Sequence, residues 1–74
     1  MEIKVRLFAT LRIDRDKELM LTLDEPATPQ KIIEALNIPP EDVAILLING
    51  RDGLLETPLK LEDVVSIFPP VGGG

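Results

Sequence analysis

Only one stretch of this chain spaces its apolar residues as an extended helix would. Ile32, Ile33 and Leu36 recur at helical intervals between Thr28-Pro29 and Pro39-Pro40. Proline is tolerated in the first turn, where its missing N–H would go unpaired anyway. A proline pair at the far end stops the helix. Thr28 places a hydroxyl at the cap and Asn37 suits the left-handed residue that closes a helix. Lys31 stands where a capping-box Glu would sit, so the cap is half built and opposed by the helix dipole. With one main helix, the rest of the core must come from strands. At 74 residues there is room for one domain. A chain of that size hides only about 60% of the surface it exposes when unfolded, so its core must be regular.

The strands announce themselves by alternation. Ile3, Val5 and Leu7 alternate with Glu2, Lys4 and Arg6, and parity then puts Phe8 on the outer face. Leu19, Leu21 and Leu23 alternate with Met20, Thr22 and Asp24 after the polar turn Asp14 to Lys17, which predicts a hairpin. Val43 to Ile48 is an unbroken apolar run and reads as a strand with both faces largely covered. Asn49-Gly50 supplies the positive φ values of a tight turn, and a short strand is expected near Leu54-Leu55. Thr57-Pro58 repeats the cap-plus-proline signature and predicts one helical turn through Leu59 to Leu61. Val64 to Phe68 forms the last strand, Val65 and Ile67 inward, ended by Pro69-Pro70. The layout is α+β: one mixed sheet of four to five strands with the helix across one face.

Composition narrows the chemistry. The chain has no cysteine and no histidine. That removes disulfides, thiolate metal sites, thiol nucleophiles and the usual general base, so no metal or cofactor is expected on the chain itself, and it is not an enzyme alone. Asp14/Asp16 and Glu41/Asp42 are neighbouring surface carboxylates at turn and helix-start positions, not an acid–base pair. Eight basic against thirteen acidic residues leave a net charge of −5, which repels nucleic acid and anionic lipid. The longest apolar run falls far short of the ~18 residues that span a bilayer. A cytoplasmic protein is expected.

The end of the chain changes character. Val71-Gly72-Gly73-Gly74 follows the prolines, and three of the five glycines are the last three residues. The division expected is a folded domain over 1–71 and a flexible tail over 72–74. A glycine tail fits a channel too narrow for side chains, and its terminal carbonyl is open to attack once activated. Ordering three glycines costs roughly 3–6 kcal/mol at 1–2 kcal/mol per residue, so a second contact surface must help the tail to bind. Phe8 and Phe68 are the only aromatic residues. Each falls on the outer face at the end of its strand, where an exposed apolar pair beside Lys4, Arg6 and Val64 reads as a protein-binding patch. A covering loop that makes them a minor second core is the alternative.

These residues resemble the sulfur-carrier proteins of the β-grasp, or ubiquitin-like, fold, and most of all the small subunit of molybdopterin synthase, the MoaD type. The resemblance spans the chain and is most specific in Phe68-Pro69-Pro70-Val71, one residue, then Gly73-Gly74. The opening Ile3-Lys4-Val5 through Phe8-Ala9 and Arg12 also matches, and Asn49-Gly50 adds weaker support. In such a sheet the first and last strands run parallel at the centre, which would bring Phe8 and Phe68 together. Two departures stand out. Gly72 replaces the small residue, often alanine, before Gly-Gly, and Leu61-Glu62-Asp63 lacks the glycine of the turn into the last strand.

The resemblance implies a cycle. An E1-like adenylating enzyme uses ATP and magnesium to activate the Gly74 carboxylate, and a persulfide sulfur donor converts it to a thiocarboxylate. The tail then enters the large subunit of molybdopterin synthase and gives sulfur to a pterin precursor. Gly74 would carry the sulfur, Gly73 would pass through the channel with Gly72 behind it, and Phe8, Phe68, Pro69, Pro70 and Val71 would form the contact surface. Arg12 corresponds to a basic position that either pairs with acidic partner residues or is simply solvated. Carriers of the ThiS type or of tRNA thiolation use the same terminal chemistry. A ubiquitin-like modifier would pass the glycine to a lysine amine, and an interaction module with an inert tail would need no activation.

Overall fold

The computed structural model describes residues 1–70 of the chain, so the expectations for Val71, Gly72, Gly73 and Gly74, and the boundary between domain and tail, lie outside the described residues. Strand β1 (Glu2–Leu7) is followed by a 3-10 helix over Ala9–Arg12 and by β2 (Glu18–Thr22). Helix α1 (Pro29–Ala35), a second 3-10 turn over Pro40–Asp42, β3 (Ile45–Ile48), β4 (Arg51–Asp52) and β5 (Val64–Phe68) follow among the described residues. The sheet has five strands in the order β2-β1-β5-β3-β4. β1 and β5 run parallel, and the other neighbours are antiparallel. This is the β-grasp arrangement, with α1 on one face.

The core lies between α1 and the inner face of the sheet. Ile3, Val5, Leu7, Val65 and Ile67 are fully buried along the two central strands, and Ile32 and Ile33 come down on them from the helix. Leu19 and Leu21 are half-buried at the edge, while the alternating Met20 is exposed, as the period of two requires. α1 ends as its sequence foretells. Asn37 takes φ 57°, the Ile38 N–H donates to the Ile33 carbonyl at 2.8 Å, and the Asn37 N–H donates to that of Glu34 at 3.2 Å. The paired bonds satisfy carbonyls that the last turn would otherwise leave open.

Several expectations are corrected. Thr28 has the extended backbone of a cap but makes no side-chain cap hydrogen bond; its carbonyl accepts the N–H groups of Lys31 and Ile32 instead. The short strand is Arg51–Asp52, not Leu54-Leu55. Asn49 and Gly50, at φ 53° and 82°, return the chain at once, so that Ile48 faces Arg51 and Leu47 faces Asp52. Leu54 and Leu55 then lie in a turn closed by the Thr57 hydroxyl, which accepts the Leu54 N–H at 2.9 Å. The Thr57 side chain thus serves the turn before it, and no helix forms through Leu59 to Leu61. Leu59 is buried there and its N–H donates to the Ala27 carbonyl at 2.8 Å, which pins the segment in place. Finally, the apolar run beginning at Val43 is a strand only over Ile45–Ile48, and its outer face is open: Ile45 is 50% exposed.

Candidate functional site: the open face at the end of the last strand

Register decides what meets on the open face. β1 pairs with β5 so that Arg6 lies beside Ser66 and Leu7 beside Ile67. One residue further on, Phe8 and Phe68 stack with ring centroids 4.1 Å apart and planes 16° from parallel. Stacked aromatic pairs contribute on the order of 1 kcal/mol beyond the area they cover. Both rings are half-buried, and neither belongs to the core cluster beneath the helix. On the other side of Phe68 stands Ile45, its direct cross-strand neighbour, tied in by the Ala44 N–H donating to the Phe68 carbonyl at 2.8 Å. Leu47 pairs with Ser66 and continues the face toward β4. Phe8, Phe68 and Ile45 therefore form one apolar patch where β5 ends, with half-buried Pro69 and exposed Pro70 next in the chain.

Ile45 is the residue that sequence reasoning missed. An apolar run hides which of its side chains face the core. The signal available was parity: with Leu46 and Ile48 inward, Ile45 and Leu47 fall on the face that carries Phe68.

A basic rim borders the patch on the β1–β2 side. Arg6 Nε donates to Glu18 Oε2 at 3.0 Å, and Lys4 Nζ lies 3.9 Å from Glu18 Oε1. One exposed carboxylate thus serves two cations, an arrangement that contributes little to stability and leaves the rim positive. Arg6, Phe8, Arg12, Lys17 and Glu18 line a half-open cleft of about 300 Å³. Arg12 is not merely solvated: its Nε donates to the Leu7 carbonyl at 2.7 Å and its guanidinium carbon lies 5.2 Å from the Phe8 ring centroid. The three cations and one carboxylate that line this cleft contrast with a chain of net charge −5.

The sites named from the sequence therefore divide. Phe8, Phe68, Arg12, Pro69 and Pro70 come together at one end of the sheet, whereas Val71, Gly72, Gly73 and Gly74 lie beyond the described residues. Among the described residues no group of His, Cys, Asp or Glu is placed to hold a metal ion, and no helix is long and apolar enough to cross a membrane.

Comparison with known proteins agrees with this geometry. A Pyrococcus furiosus protein described as a candidate molybdopterin converting factor subunit 1 superposes with a TM-score of 0.77 at 30% identity, over 96% of this chain and 99% of that one. Subunit 1 in a complex of subunits 1 and 2 of the Helicobacter pylori molybdopterin-converting factor is an example at 26% identity and TM-score 0.64, with both chains fully covered. Small archaeal modifier protein 1 of Haloferax volcanii, 22% identical over 95% of this chain and 98% of its own, shares the fold at a TM-score of 0.75. No curated protein sequence matches. The model of the ThiS family matches residues 5–74, nearly the whole length, and the chain belongs to that family of sulfur carriers.

Proposed function

We propose that the chain carries sulfur as a thiocarboxylate on Gly74 and delivers it as the small subunit of a molybdopterin synthase. The observation that carries this reading is the stacked Phe8–Phe68 pair, extended by Ile45, on an open face immediately before the prolines that lead to the glycines. Apolar surface held open at that place is what a carrier needs if its partner is to grip the domain while the tail enters a channel. The family match running through residue 74 supports a role for the glycines themselves. The Helicobacter pylori structure, a complex of subunits 1 and 2, supports a large synthase subunit as acceptor.

The chemistry belongs to partners. An E1-like enzyme joins the Gly74 carboxylate to AMP from ATP, with magnesium on the phosphates, and pyrophosphate leaves. The terminal sulfur of a persulfide attacks the acyl carbon and AMP departs. A thiol then cleaves the S–S bond, leaving the thiocarboxylate on Gly74 and a disulfide on the donor side. The carrier contributes a main-chain carbonyl without side-chain hindrance and a surface that orients it, which accords with a chain lacking both Cys and His.

The acceptor is tested directly. A chain bearing the thiocarboxylate at Gly74 is mixed with the large subunit of a molybdopterin synthase and its pterin precursor. Dithiolene formation with loss of one sulfur per chain is expected. Sulfur consumed only by a thiazole precursor or a tRNA, or an isopeptide adduct on lysine, would replace this acceptor with another.

A further inference from the structure

The turn after β1 takes a form that no requirement of the hairpin explains. Phe8 is extended, at φ −127° and ψ 154°, and Ala9 then enters the left-handed region at φ 52°. Alanine has no side chain able to compensate there, and such a residue persists only where its surroundings hold it. Two anchors do so. Leu11 is buried and its N–H donates to the Phe8 carbonyl at 3.1 Å, while Arg15 reaches from the end of the turn to the Leu36 carbonyl. The result is that the chain doubles back and Arg12 arrives over its own strand. Its Nε is committed to the Leu7 carbonyl, and its guanidinium sits over the ring of Phe8.

We propose that Arg12 is a positioning residue: through the left-handed turn at Ala9 it holds the Phe8 ring in the orientation that stacks on Phe68, so the docking patch is set before a partner arrives. This deepens the reading of that patch as the carrier's docking surface and rests on it. A half-exposed phenylalanine otherwise samples rotamers in the free protein, and binding must then stop that motion. A guanidinium fixed by its own backbone bond limits the choice, and arginine suits the task because its plane offers a donor to the carbonyl and a face to the ring together. An arginine serving only as a partner's ion pair would need neither bond.

The test uses Arg12→Met, which keeps length and apolar bulk, and Arg12→Lys, which keeps the charge. In the free chain, the ring-proton shifts of Phe8 and Phe68 should move toward unstacked values in Arg12→Met, while the amide shifts of α1 stay in place. Affinity for the purified large subunit should fall about three- to tenfold. The fall should be the same at low and high salt, should be absent in a Phe8→Leu background, and should not be restored by lysine. Unchanged ring shifts would overturn the proposal. So would a loss that lysine restores, that high salt abolishes and that adds to the effect of Phe8→Leu, because those are the marks of a direct ion pair with the partner. The ring shifts are read without any partner, so a wild-type chain that fails to bind would sink the docking reading and leave the role of Arg12 judged on its own.

Discussion

Glu62→Gly should stabilise the protein. Glu62 lies at φ 73°, in the turn into β5, where the resemblance to sulfur carriers leads one to expect glycine. The turn cannot relax out of that conformation, because its neighbours are bound on both sides. Asp63 Oδ2 accepts the Lys60 N–H at 2.8 Å, Asp63 Oδ1 accepts from the Asn49 side chain at 2.8 Å, and the Asn49 Oδ1 accepts the Val64 N–H at 2.9 Å. Holding a residue with a Cβ in the left-handed region costs about 1–2 kcal/mol. Glycine removes that cost but returns about 0.5–1 kcal/mol through its greater freedom in the unfolded chain. The net gain is about 0.5–1 kcal/mol, which raises the melting temperature of a domain this small by roughly 2–8 °C. The Glu62 side chain is exposed and makes no ion pair among the described residues, so little is lost with it. Glu62→Ala is the control, since it removes the same charge and retains the Cβ. Thermal and urea unfolding followed by circular dichroism give the comparison. A glycine variant no more stable than the alanine variant would refute the strain argument.

Arg15 donates to the Leu36 carbonyl at 3.2 and 3.3 Å and to that of Leu11 at 3.4 Å, so Arg15→Ala should cost about 1–2 kcal/mol in urea unfolding, with lysine restoring less than half of it. Glu18→Gln breaks two exposed ion pairs and should change stability by less than about 1 kcal/mol, measured the same way. Ile45→Asp should leave the melting temperature within a few degrees, because the side chain is 50% exposed, yet weaken binding to a large synthase subunit at least about tenfold by calorimetry.

Much of the fold was legible because its signals are local. The alternation at Ile3, Val5 and Leu7 places a strand and its faces, Asn37 closes the helix, and Asn49-Gly50 makes the hairpin. The meeting of Phe8 and Phe68 needed one further premise, that the first and last strands are parallel neighbours. What was misread depends on distant partners. Thr57-Pro58 looks like a helix start, but the hydroxyl is taken by Leu54 and Leu59 is drawn to Ala27. Arg15 caps a helix 21 residues away, which no local pattern announces. Ile45 looked like core because an exposed apolar residue has the same hydropathy as one covered by a helix.

The central claim concerns the terminal glycine, and one measurement reaches it most directly: the intact mass of the chain after incubation with an E1-like activating enzyme, ATP, magnesium, a persulfide donor and a thiol. The account predicts a gain equal to one sulfur replacing one oxygen, absent without ATP and absent when Gly74 is deleted. An unchanged mass, with an activating enzyme shown to be competent on another carrier, would contradict it.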